Sequence, residues 1–92
     1  MITAIVMIDA DVDAIPELAQ RIADQQGVRE VYSVTGDTDL IALVDVQEHE
    51  EFTEVIAHRL NKTPGVRRTR THIAFRQYSS SDLDEAFSLG LD

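Results

Sequence analysis

The residues best suited to chemistry stand together at Gly36-Asp37-Thr38-Asp39, between the two apolar runs of the stretch Val31–Val46, VYSVTGDTDLIALVDV. A glycine leaves neighbouring backbone N–H groups free to receive a carboxylate, and Asp37 or Asp39 can hold an ammonium group. Together those are the needs of a free amino acid. The same four residues also suit a plain hairpin turn, because glycine tolerates positive φ and aspartate bonds its own backbone. Thr69 and Thr71 lie two apart, so both hydroxyls leave one face of a strand; ordinary β-propensity accounts for them equally well.

Other chemistries lack the residues they need. His49, His58 and His72 have no metal-ligand spacing, since the first two fall on different faces of one helix, and no HxH or HxxxH occurs. There is no GxSxG elbow, no GxGxxG and no GxxxxGK[ST], so neither nucleophilic hydrolysis nor nucleotide binding has a motif behind it. The absence of cysteine removes disulfides, thiolate metal sites and cysteine nucleophiles. No catalytic residue, metal or cofactor is expected. Seventeen acidic against eight basic residues give a net charge of −9, which opposes attraction to a polyanion, so no direct nucleic-acid contact is expected. Six of the eight cations, Arg59, Lys62, Arg67, Arg68, Arg70 and Arg76, nevertheless cluster late in the chain, able to meet an acidic surface or an anion.

The elements that must position the turn are legible from periodicity. Ile2–Asp9 is apolar on one face and nearly so on the other, as a central strand covered on both sides is. Ile15, Leu18, Ala19, Ile22 and Ala23 make one helical stripe, with Asp13 as the expected cap, Pro16 in the first turn and Gly27 as the stop. Val28–Thr35 reads as an edge strand with Val28, Tyr32 and Val34 on one face, and Leu40–Val46 as a second central strand. Glu48–Lys62 reads as a helix, acidic at its start and basic at its end, burying Phe52, Val55, Ile56 and Leu60. After Thr63-Pro64-Gly65, Val66–Tyr78 reads as a fourth strand, with Val66, Arg68, Arg70 and His72 on one face and Arg67, Thr69, Thr71 and Ile73 on the other. Gly27-Val28-Arg29 and Gly65-Val66-Arg67 each open a strand after a helix, a hint of internal duplication.

The order βαββαβ, with right-handed crossovers, gives an α+β ferredoxin-like sandwich whose antiparallel sheet runs 4-1-3-2 with both helices on one face. Residues 1–78 form this domain; 79–92 form a tail, with a short amphipathic C-terminal helix expected on Leu83, Ala86 and Phe87. Helices cover only one face, yet the central strands carry Ile5, Met7, Ile41 and Leu43 toward the other. A homodimer packed sheet against sheet would cover them. No apolar run reaches the ~18–20 residues of a membrane span, and the N-terminus has no basic leader, so a cytoplasmic protein is expected.

The turn Thr35-Gly36-Asp37-Thr38-Asp39-Leu40 and the strand Gly65-Val66-Arg67-Arg68-Thr69-Arg70-Thr71-His72-Ile73, in this order around a helix, resemble the RAM domain of the Lrp/AsnC feast/famine regulators. The resemblance runs from Met1 to about Tyr78. It implies a subunit that dimerises through its sheet, dimers that close into a ring, commonly an octamer, and small effectors, usually amino acids, bound between dimers. Carried over by position, the ligand-binding residues are Gly36, Asp37, Thr38 and Asp39 with Ser33 before them, then Thr69 and Thr71 on the fourth strand and Asn61 at the helix end. Family regulators carry an N-terminal helix-turn-helix and this sequence opens on the first strand, so it resembles a stand-alone RAM domain. Thr38 stands where an aromatic residue is common.

The function expected is therefore effector binding and oligomerisation without catalysis, acting on transcription or amino-acid metabolism through assembly with itself or with a full-length Lrp/AsnC regulator. In that reading Asp39→Ala should remove an ammonium contact and keep the fold. A small dimeric ferredoxin-like enzyme of the monooxygenase type is the alternative, with His58 or His72 as base or axial ligand. A structural adaptor without a ligand is a third.

Overall fold

The computed structural model describes residues 1–80. Its elements are β1 (Ile2–Ala10), a 3-10 turn (Val12–Ala14), α1 (Ile15–Ala23), β2 (Val28–Ser33), β3 (Leu40–Val46), α2 (Thr53–Leu60) and β4 (Val66–Ile73). One antiparallel sheet runs β2-β3-β1-β4, the 4-1-3-2 order read from its other edge. The expected ferredoxin-like arrangement is the one observed. The terminal helix expected around Leu83–Phe87 lies outside the described residues.

Alternation on the two central strands builds the core. Ala4, Val6, Ile8 and Ala10 of β1 and Leu40, Ala42, Val44 and Val46 of β3 are buried beneath Leu18 and Ile22 of α1 and Phe52, Val55, Ile56 and Leu60 on and beside α2. Each fully buried Ile or Leu here contributes about 1.5–3 kcal/mol. Ile5, Met7, Ile41 and Leu43 point to the opposite face and are only partly covered.

The Gly-Val-Arg repeats mark two equivalent joints. Gly27 and Gly65 both have positive φ, +95° and +100°. The carbonyl of each accepts an aspartate amide at the end of the neighbouring central strand, Asp45 N–H to Gly27 at 2.9 Å and Asp11 N–H to Gly65 at 2.9 Å. The arginine two residues on reaches the same aspartate, Arg29 to Asp45 at 2.8 Å and Arg67 to Asp11 at 3.8 Å. Each glycine also lies under a side chain of the other half, Gly27 under Val55 and Gly65 under Leu18.

Both joints contain a β-bulge, and this corrects the strand faces read from simple alternation. Val28 pairs with Val44 but Glu30 with Leu43, so Arg29 is an extra residue; Ala10 pairs with Val66 but Asp9 with Arg68, so Arg67 is another. Each extra residue flips the remainder of its strand. Val28 and Val31, rather than Val28 and Tyr32, pack against the core, and Tyr32 turns to the uncovered face with half its surface exposed. There Glu30 accepts its hydroxyl, and that hydrogen bond together with the carboxylate charge holds the phenol above its usual pKa. Val66 likewise joins Thr69, Thr71 and Ile73 on the helix side of the sheet.

Element boundaries also shift. β4 ends at Ile73 rather than Tyr78, although Ala74 N–H still donates to Thr3 O at 2.8 Å. β2 ends at Ser33, and Asp13 lies inside the 3-10 turn instead of capping α1. The helix expected over Glu48–Lys62 is regular only over Thr53–Leu60, where it is wound as a π-helix and closes with Asn61 N–H donating to Ile56 O at 2.8 Å. The acidic residues before it form tighter turns, such as Glu51 N–H to Glu48 O at 3.1 Å.

Candidate functional site

The turn between β2 and β3 is held from both sides. Val34 N–H donates to Asp39 O at 3.0 Å, closing the hairpin, and Asp39 N–H donates to Ile8 O of β1 at 3.0 Å. Gly36 has φ +115° with open space where a Cβ would stand, so glycine is required there by conformation and not by crowding. Gly36 and Asp37 are exposed, and among the described residues no protein acceptor takes their N–H groups. Two free donors beside a left-handed glycine are backbone groups of the kind that receive an anion.

Thr38 and Asp39 face the other way. Thr38 is buried at 7% exposure, and its hydroxyl donates to Ile8 O at 3.1 Å. The Oδ2 of Asp39 accepts the Ala10 N–H at 2.8 Å, beside the bulge that β1 shares with β4. A buried backbone donor left unpaired costs about 1–3 kcal/mol, so Asp39→Ala should destabilise the fold by that amount in urea denaturation, while Asp37→Ala should stay within about 0.5 kcal/mol of the parent. The substitution expected to keep the fold thus carries a cost in stability, because the side chain is also a fastener between β1 and the turn.

The remaining candidates form a second group. Asn61, at the C-terminal end of α2, accepts the Thr69 hydroxyl through its Oδ1 at 2.6 Å, and Thr71 stands two residues along the same face of β4. Thr69 pairs with Ile8, whose carbonyl receives both Thr38 and Asp39. The two groups therefore sit at one end of the sheet but with β1 between them, about two strand spacings or ~10 Å apart. Ser33 is exposed on the outer edge, opposite Leu40. One subunit thus brings Asn61, Thr69 and Thr71 together and holds them away from the turn.

The basic patch is dispersed along β4. Arg68 and Arg70 lie 3.4 Å and 3.9 Å from Asp9, and Arg67 reaches Asp11; exposed pairs of this kind contribute about 0–1 kcal/mol each. Two clefts open elsewhere. One of about 450 Å³ lies on the uncovered sheet face among Thr3, Ile5, Arg29, Leu43 and the exposed Phe75; one of about 430 Å³ lies beside α2. Among the described residues no group of three His, Cys, Asp or Glu side chains is placed to hold a metal ion, and no helix is long and apolar enough to cross a membrane.

The family model of the Lrp/AsnC ligand binding domain matches residues 3–83. The chain belongs to this family. Among curated relatives, the uncharacterised HTH-type transcriptional regulator PF0250 of Pyrococcus furiosus is 34% identical over 76 residues, which cover 79% of this chain and 51% of that regulator. The chain thus spans about half the length of the curated relatives it matches. Among solved structures, TTHA0845 from Thermus thermophilus is similar with a TM-score of 0.80 at 43% identity, over 86% of this chain and 99% of that one. The transcriptional regulator NMB0573 of Neisseria meningitidis, solved as an L-Met complex, shares the fold with a TM-score of 0.75 at 17% identity, over 87% of this chain and 55% of its own. The Lrp/AsnC chain described here is thus a regulatory ligand-binding domain with a ferredoxin-like fold.

Proposed function

We propose that this Lrp/AsnC domain binds an amino-acid effector between subunits and passes its occupancy to transcription or amino-acid metabolism through assembly, without catalysing a reaction. The effector carboxylate would lie against the free N–H groups of Gly36 and Asp37, and the Asp37 carboxylate would take its ammonium group. Ser33 would border that side of the pocket, and Thr38 and Asp39 would act there by fastening the turn to β1. Asn61, Thr69 and Thr71 of a facing subunit supply the other side, since those of the same subunit are a strand too far away.

The observation that carries this reading is the pair of unclaimed N–H groups at the tip of a turn otherwise fastened to β1. The L-Met complex of the Neisseria regulator, which shares the fold, supports an amino-acid ligand. Assembly is a homodimer through the uncovered sheet face, with dimers closing into a ring, an octamer by resemblance to the family, in a cytoplasmic setting. A full-length Lrp/AsnC regulator is the further partner it would suit.

Thermal unfolding against each common amino acid tests the proposal. A bound effector stabilises by RT ln(1 + [L]/Kd), about 2.7 kcal/mol at a hundredfold excess over Kd. At least one amino acid should raise the transition temperature at millimolar concentration, and Asp37→Asn should diminish the rise. No shift with any of them would refute the effector role while leaving the assembly role standing.

A further inference from the structure

At the end of the sheet opposite the Gly36–Asp39 turn, the cleft of about 430 Å³ lies between α2 and the strand ends, with Gly27 and Val46 in its floor and Glu51, Glu54 and Arg59 on its wall. Its size is within the range of about 300–1,000 Å³ usual for small-molecule sites.

The wall is unusual in its backbone. A π-helix is rare beyond a single turn and recurs at functional sites. Here the π-winding spans the eight residues Thr53–Leu60, and it changes which side chains are neighbours. Glu54 meets both His58, four residues on, at 3.1 Å and Arg59, five residues on, at 3.9 Å. In an α-helix a residue five positions on would have rotated ~140° away from the first.

Arg59 supplies the second observation. Its Nε is buried and has no hydrogen-bond partner, and its closest carboxylate, Glu54 at 3.9 Å, is beyond hydrogen-bonding distance. With about a third of the side chain exposed (32%) and the Nε unpaired, the guanidinium can turn toward an incoming acceptor, and a carboxylate fits it best. The other charged lining residues are acidic, beside the neutral Gln26 and Gln47. Asp45 is already engaged by Thr3 at 2.6 Å and Arg29 at 2.8 Å, and one oxygen of Glu51 takes the Gln47 N–H at 3.0 Å. The second oxygen of Glu51 and the exposed Glu54 carboxylate, whose Oε2 meets His58, remain open to a cation.

We infer that this cleft is a second small-molecule site, distinct from the turn, that takes a zwitterion of amino-acid size with its carboxylate on Arg59 and its ammonium group on Glu51 and Glu54. The two sites lie at opposite ends of the sheet, so each can fill without the other.

The test is a titration of the full chain with each common amino acid, followed by amide signals in transverse-relaxation-optimised ¹H–¹⁵N spectra. Signals of Gln26, Gly27, Gln47 and Val55 should move with at least one of them. Arg59→Gln and Glu54→Gln should each weaken that response by about tenfold or more, as loss of a hydrogen bond to a charged group does. Asp37→Asn should leave it unchanged. Absence of movement at these four positions with every amino acid, or movement that survives Arg59→Gln, would overturn the inference. Movement confined to Gly36–Asp39 would do the same and would support the turn as the sole site.

Discussion

Gly27→Ala is expected to cost about 2–5 kcal/mol, a large share of the ~5–15 kcal/mol that holds a domain of this kind together. Two penalties combine. A φ of +95° strains any residue with a Cβ, and a Cβ placed there would stand 3.0 Å from Val55 Cγ2 and 3.3 Å from Cγ1. Val55 is buried in the core and has no solvent to move into. A double-mutant cycle separates the terms: in a Val55→Ala background the crowding is relieved and the φ strain remains, so the two substitutions should couple favourably by about 1–2 kcal/mol. Gly36→Ala is the comparison, because at φ +115° the added Cβ meets nothing within 4 Å and only strain remains, about 1–3 kcal/mol. Urea denaturation at one fixed protein concentration measures all four variants, since assembly would otherwise shift the midpoints. Full additivity between Gly27→Ala and Val55→Ala would show that the contact with Val55 carries no part of the cost.

What the sequence displayed clearly was whatever depends on periodicity over a whole element. The two-faced apolar runs of β1 and β3, the helical stripes and the glycine stops led to element order, sheet order and core. What it concealed depends on a single residue. A β-bulge adds one position to a strand without altering composition, so Arg29 and Arg67 read as ordinary alternating residues, and simple alternation places Tyr32 and Val66 on the wrong faces. The winding of α2 was equally hidden, because Phe52, Ile56 and Leu60 recur every four residues and satisfy an α- or a π-helix alike. Arg59 therefore reads as a cation near a helix end, whereas it stands at the wall of a cleft with its Nε unpaired. At the turn, residue types indicated polar chemistry but not direction. Thr38 and Asp39 turn inward because Ile8 O and Ala10 N–H, two backbone groups that no side-chain motif records, need partners there.

Leu43→Glu is expected to convert the protein to a monomer while leaving its far-ultraviolet circular dichroism unchanged. Leu43 lies mid-strand on the uncovered face, beside Ile5 of β1 and near Ile41 and Met7. Facing solvent, a glutamate there costs the single subunit little; facing another sheet, it would place an unpaired charge in an apolar layer and cost several kcal/mol. The charges at the sheet's edges favour one orientation of the pair. β4 presents Arg68, Arg70 and His72 to this face at one edge, and β2 presents Glu30 and Tyr32 at the other. A two-fold axis parallel to the strands sets β4 of one copy against β2 of its partner, basic edge to acidic edge. An axis across the strands would set arginine against arginine. Both axes keep the strands of the two sheets aligned, as face-to-face packing requires, so the edge charges decide between them. Sedimentation velocity should therefore show the parent as a dimer or larger and Leu43→Glu as a monomer, with Arg70→Glu weakening assembly more at low salt than at high salt because its opposing edge is screened. A parent that sediments as a monomer at micromolar concentration would remove the sheet face as an interface, and with it the dimers whose closure into a ring would bring Asn61, Thr69 and Thr71, on the helix side of the sheet, to the turn of a neighbouring dimer.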